Sequence, residues 1–160
     1  MSLTELLLAM GLLGLLGSMA WPAWHTALTH TQLKTRAQSL ITDAQWAQWQ
    51  ALRLAEPIDL RPLACTASLD WSCGWQVVRP ASPWRPTEEV LRERALAPTL
   101  RMQASLVQTP WHFDAQGRWH MGAMRVVWSP AGATASGLAL TVCVSNTGRW
   151  RWQPGAGCSA

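Results

Sequence analysis

The sequence has no tyrosine and a single phenylalanine but twelve tryptophans, so indole rings must supply nearly all of its aromatic packing. Charge is scarce. Only 14% of the 160 residues are Asp, Glu, Lys or Arg, while 49% are hydrophobic. That balance is more apolar than an ordinary soluble domain, and it suits one domain plus a membrane anchor rather than two domains. Acid is missing altogether after Asp114, whereas Arg118, Arg125, Arg149 and Arg151 follow it. The C-terminal third therefore carries one sign, which favours an anionic partner, although scattered arginines also serve simply to keep a surface soluble. P-loop, dinucleotide, G-x-S-x-G and H-E-x-x-H fingerprints are all lacking. His25, His30, His112 and His120 fall in no ligand or triad arrangement, and Glu88, Glu89 and Glu93 beside Arg92 and Arg94 read as a solvated charge mix. No catalytic, cofactor or metal site is predicted.

Four cysteines are present, Cys65, Cys73, Cys143 and Cys158. No pair has C-x-x-C spacing and no His stands near one in a zinc-finger pattern, which argues against metal. An even set behind an export or membrane signal points to disulfides in an oxidising compartment. Of the three pairings, Cys65–Cys73 and Cys143–Cys158 close the shortest loops. The second, of about fifteen residues, is worth roughly 3 kcal/mol by chain-entropy reasoning.

The N-terminus is Leu-rich from Leu6 to Ala20. Leu3 to Trp24 is about 22 residues, or roughly 33 Å of helix, enough to cross a bilayer core. Trp21 and Trp24 then fall at the aromatic belt. A cleavable signal peptide is the rival reading, with Ser18-Met19-Ala20 as its processing site. Such a peptide opens on Lys or Arg, and this chain opens on Met1-Ser2-Leu3-Thr4-Glu5. A carboxylate beside an apolar run needs a partner, which makes Glu5 the residue to explain.

Beyond Pro22, Leu33, Ala37, Leu40, Ile41, Ala44, Ala47, Ala51 and Ala55 recur at spacings of three and four, predicting one amphipathic helix. Lys34, Arg36, Gln38, Asp43, Gln45 and Gln48 are expected on its exposed surface. Pro57 stops the helix near Ala55, after about 50 residues or about 75 Å. Pro22, Gly11, Gly14 and Gly17 mark where it can bend. The remainder reads as β, with strands over Ile58–Leu63, Gly74–Val78, Thr99–Val107, Trp111–Phe113, Met124–Trp128, Leu138–Val144 and Arg149–Gln153. Thr87 to Leu96 has local helix propensity. In the last hairpin Leu138, Leu140, Val142 and Val144 alternate, Ser145-Asn146-Thr147-Gly148 turns, and Trp150 and Trp152 resume the apolar face. Arg149 and Arg151 must then point together to the opposite side.

Met1-Ser2-Leu3-Thr4-Glu5-Leu6, with Gly14 and Pro22 in register, resembles the mature N-terminus of type IV pilins and pseudopilins. Trp71-Ser72-Cys73-Gly74-Trp75-Gln76-Val77-Val78 is similar to the W-x-x-G-W-x-V segment of the GspH/FimT group within that superfamily. Phe113-Asp114-Ala115-Gln116-Gly117-Arg118 resembles its F-D/N-x-x-G-R turn, and Cys143 to Arg151 its closing strand and G-R-x-R motif. The resemblance implies an α+β pilin fold: a transmembrane, filament-core half-helix at 1–24, an amphipathic half at 25–55, and a β-rich domain at 57–160 packed as an antiparallel sheet or sandwich. It also implies a strand rather than a helix at Thr87–Leu96.

The same resemblance implies a prepilin peptidase that cleaves a basic leader and methylates Met1. The leader lies outside the sequence, so either the numbering starts at the mature residue or the start is truncated. Glu5 would neutralise the N-terminal ammonium of a neighbouring subunit, with Gly14 and Pro22 also serving assembly. The implied partners are major and minor pilins or pseudopilins, the inner membrane, and double-stranded DNA. FimT-like members are implicated in DNA binding through their C-terminal segment, which here points to Gly148, Arg149 and Arg151, with Arg118 and Arg125 as neighbours. The expected protein is a FimT-like minor pilin, first in the bacterial inner membrane with its globular domain periplasmic and then in a filament. A GspH-like pseudopilin of type II secretion is the alternative. A monomeric exported binding domain is a third reading, which Glu5 argues against.

Overall fold

A computed structural model describes the backbone of residues 3–64, 71–106, 110–132 and 138–158, and within the helix the side chains of 4–8, 10–12 and 24 onward. Among the described residues one α-helix, α1 (Leu3–Leu54), runs through Pro22 and is followed by a short 3-10 turn (Trp71–Cys73) and eight strands. The chain divides into two compact units, Met1–Gln32 and Leu33–Ala160.

In the first unit the large apolar side chains that are described stand bare. Leu6, Leu7, Leu8, Met10, Leu12, Trp24 and Leu28 are exposed, and so is Glu5 in the first turn. Among the described residues no helix is long and apolar enough to cross a membrane. Met1 and the side chain of Trp21 lie outside the described residues, as do the surroundings of Gly14 and Pro22.

The second unit is built on the apolar stripe of α1. Leu33, Ala37, Leu40, Ala44, Ala47 and Ala51 are fully buried, and four of these six are alanine. The helix ends at Leu54, one residue before the expected Ala55, which takes a left-handed φ of 51° and turns the chain into the first strand, β1 (Ile58–Pro62).

Two antiparallel four-stranded sheets follow. The first runs β3 (Glu89–Ala95), β2 (Gly74–Arg79), β1 (Ile58–Pro62), β5 (Trp111–Phe113). The second runs β4 (Leu100–Ala104), β6 (Met124–Pro130), β7 (Leu140–Val144), β8 (Trp150–Pro154). All seven predicted strands are present within a few residues of their expected ends. The segment from Thr87 forms β3, so ladder pairing to β2 overrides its local helix propensity. The far end of the predicted third strand, at Val107, lies outside the described residues.

Indoles join the layers. Trp75 of β2 meets Trp128 of β6 edge-on at 6.0 Å between ring centres. Trp111 of β5 stacks on Trp71 at 3.8 Å and approaches Trp150 of β8 at 6.1 Å, while Trp119 lies 5.5 Å from Trp150. Each such pair adds about 1 kcal/mol beyond its buried area. Six of the twelve tryptophans are buried here, as a chain without tyrosine requires.

One sequence expectation is overturned in this core. Asp43 was expected on the solvated side of α1, but it is fully buried. It accepts hydrogen bonds from Trp75 Nε1 at 2.9 Å, Arg92 Nη1 at 2.7 Å and Arg94 Nε at 2.7 Å. Arg92 and Arg94 are therefore not part of a solvated charge mix. Both reach over β3 to clamp the helix, and Arg92 also sits 4.2 Å above the Trp46 ring. A buried carboxylate is tolerated only when paired, and two guanidiniums and an indole meet that need.

Candidate functional site

The two sheets divide the charge between them. Around the first, carboxylates and arginines neutralise one another: Asp59 with Arg61, Glu56 with Arg79 and Arg85, Glu88 with Arg61, and Glu89 with Arg79, while His112 Nδ1 lies 2.8 Å from Asp59 Oδ1. The second differs. No carboxylate occurs in β4, β6, β7 or β8.

The pleat explains how its arginines gather. Met124, Val126 and Trp128 of β6 point into the core, so Arg125 faces out, and Leu140, Val142 and Val144 alternate likewise around Cys143. In the ladder Arg125 is opposite Cys143, and Cys143 is opposite Arg151. Strands lie about 4.8 Å apart, so the backbones of Arg125 and Arg151 stand about 10 Å apart across the cysteine. Arg149 precedes Arg151 on the same side of β8, and all three arginines are exposed. They line a cleft of about 920 Å³ together with Ser105, Ser145 and both members of a Cys143–Cys158 disulfide.

That disulfide folds the C-terminal tail back over the outer face. Thr141 Oγ1 donates to the Gly155 carbonyl at 2.6 Å, and the Gly155 amide donates to the Ala139 carbonyl at 2.8 Å. The tail thereby covers Thr141, which is fully buried, and leaves the end of the face near the hairpin turn open. Cys73 is also disulfide-bonded. Its expected partner, Cys65, lies outside the described residues.

The turn between β7 and β8 fixes the register of the arginines. The Gly148 amide donates to the Ser145 carbonyl at 2.9 Å, and the Arg149 amide donates to Ser145 Oγ at 3.0 Å. Gly148 has a φ of 76°, and a Cβ there would meet Trp119 Cβ at 2.7 Å. Its part in the site is conformational, since a left-handed residue pressed on an indole has room for no side chain.

Arg118 does not join this group. It is held in the β5–β6 loop by Asp114, whose Oδ2 accepts from Arg118 Nε at 2.8 Å, and it is absent from the cleft lining. Hydrogen bonds from His120, then from the Arg118 backbone and side chain, hold the Asp114 carboxyl far below the usual carboxylate range. The acid that ends the acidic part of the sequence thus neutralises the first arginine after it. Sequence reasoning also passed over Ser105 and the disulfide as cleft walls, and Arg101, exposed on β4 of the same sheet. Strand alternation from Leu100 and Met102 was the signal that would have found Arg101.

The site holds basic side chains on a rigid sheet with no nucleophile, no general base and no metal-binding cluster among the described residues. Its scaffold is a helix packed on two antiparallel sheets. A family profile described as "Type II transport protein GspH" matches residues 36–151, and the chain belongs to this GspH/FimT family of minor pilins and pseudopilins. The fold is similar to that of the type IV minor pilin FimU of Pseudomonas aeruginosa, with 20% identity and a TM-score of 0.62 over 78% of this chain and 90% of that one. It is also similar to the minor pseudopilin EpsH of the type 2 secretion system of Vibrio cholerae, with 12% identity and a TM-score of 0.58 over 76% and 96%. No curated protein matches the sequence.

Proposed function

We propose that the chain is a FimT-like minor pilin of a type IV pilus, anchored in the inner membrane before assembly, whose basic sheet face holds DNA during uptake. The observation that carries the DNA reading is the convergence of Arg125, Arg149 and Arg151 on one cleft in a sheet without carboxylates. Guanidiniums bind phosphate oxygens bidentately, and a rigid ladder fixes their spacing beforehand. The filament reading is supported by the bare leucines of the first unit, an exposed apolar surface of the kind that marks a membrane or partner contact. Glu5 beside them is assigned to pair with the methylated N-terminal amine of an adjacent subunit, and Met1 to prepilin-peptidase processing.

Binding of this kind is read through phosphates, is largely indifferent to sequence, and weakens steeply with salt. The test uses the full chain in detergent micelles and fluorescence anisotropy with a labelled duplex over a salt series. The duplex should bind at low salt. Arg149→Gln with Arg151→Gln should weaken binding and reduce the slope of log K against log salt by about 2. Equal affinity and slope in the double variant would refute the cleft as the DNA site.

The family description and the EpsH fold favour a second reading, a GspH-like pseudopilin of type II secretion, whose basic face would dock an acidic subunit or cargo. In that case the duplex fails to bind at any salt, and the arginine variants instead lose co-purification with neighbouring pseudopilins.

A further inference from the structure

On the other side of β8 from the arginine cleft lies a second opening, between the edge of the second sheet and α1. It encloses about 580 Å³ and is lined by Gln38, Ile41 and Thr42 of the helix and Trp150, Arg151 and Trp152 of the strand. Its walls are of two kinds. Ile41 and the two indoles are apolar, whereas Gln38 and Thr42 present polar groups from the helix. Trp152 is 36% exposed, and Lys34 Nζ stands 5.0 Å from its ring centre, so a cation already rests on this aromatic wall.

Arg151 lines both openings. β8 is the outer strand of its sheet, so no further strand separates the two. Alternation along β8 places Arg149 and Arg151 toward the cleft and Trp152 toward the helix, with consecutive residues about 3.3 Å apart. Proteins that bind single-stranded nucleic acid combine a basic groove along the backbone with aromatic side chains on which bases stack.

We propose that this slot receives an unpaired nucleobase, so that the chain holds single-stranded DNA more tightly than duplex. This inference rests on the phosphate-binding reading above and narrows its substrate class. In a duplex the base faces are stacked on one another and cannot enter. A single strand can cross the edge at Arg151 and turn a base against Trp152.

Three labelled oligomers of equal length separate the two ideas, each titrated against the full chain in detergent micelles: an oligothymidylate, its abasic phosphodiester counterpart, and a duplex. The thymidylate should bind about tenfold more tightly than the abasic oligomer, the increment expected of one stacked base. Trp152→Ala should remove that difference while leaving abasic binding unchanged, and Trp152→Phe should keep most of it. Thr42→Trp, which fills the slot from the exposed helix side, should give the same loss as Trp152→Ala without touching the strand. Equal binding of thymidylate and abasic oligomers overturns the slot, as does a duplex that binds as tightly as the thymidylate. If the abasic oligomer still binds and still depends on Arg149 and Arg151, the phosphate reading survives that result. If no oligomer binds, both readings fall.

Discussion

Asp43 of α1 and Trp75 of β2 are joined by an indole-to-carboxylate hydrogen bond of 2.9 Å, made where the carboxylate is fully buried. The contact locks the helix to the first sheet at one rotational setting, because Arg92 and Arg94 approach the same carboxylate from β3. Burial alone would raise the pKa of Asp43. The hydrogen bonds from Arg94, Arg92 and Trp75 outweigh it and hold the carboxyl below the usual carboxylate range.

Asp43→Asn should therefore destabilise the β-rich unit by about 2–4 kcal/mol, because it leaves two guanidiniums facing a neutral amide. Thermal unfolding at neutral pH followed by near-ultraviolet circular dichroism measures this. A midpoint equal to the parent's would show that the clamp contributes nothing.

The same group sets part of the acid response. Its folded pKa lies below its unfolded one, so its contribution is complete above about pH 4 and is lost as pH falls from there toward the folded value. The parent should lose stability below about pH 4 more steeply than Asp43→Asn. Parallel decline of the two proteins would assign the acid sensitivity to other carboxylates.

Gly148→Ala should cost about 2 kcal/mol or more, since it adds a left-handed alanine to a clash with Trp119 Cβ. Gly157→Ala, where an added Cβ meets nothing within 4 Å, is the control and should be silent. The Gly148 variant should also weaken DNA binding through the displaced Arg149. Retained affinity in a destabilised Gly148→Ala would separate the turn from the site.

Glu5→Ala should leave the β-rich unit folded and its unfolding midpoint unchanged, while incorporation into filaments drops sharply. Pull-down with neighbouring pilins and immunoblotting of sheared filaments give the readout. Normal assembly of this variant would remove the pairing role proposed for Glu5.

Opening the Cys143–Cys158 bridge, which spans 15 residues of sequence, should cost about 3 kcal/mol and free the tail from the outer face. Cys143→Ser with Cys158→Ser should show this in thermal unfolding. Non-reducing peptide mapping of the parent should recover Cys65 linked to Cys73. A crossed linkage would contradict that pairing.

The amino-acid order by itself determined the long helix, its alanine stripe, seven of the eight strands and the closing hairpin, because each is written in a local period of 3.6 or 2 residues or in a turn, whereas β3 needed its ladder to β2. It also determined that Arg149 and Arg151 share a side and that the last third is basic. Only the tertiary structure decided which charges meet. Asp43 reads as a solvated helix residue until β3, some fifty residues later, brings Arg92 and Arg94 over it. Arg118 and Arg125 look alike in sequence, yet Asp114 neutralises one while the β6–β7 register sets the other beside Cys143. Periodicity fixes the face on which a side chain lies. The partner across a ladder or a helix–sheet contact depends on non-local pairing, which no local pattern records.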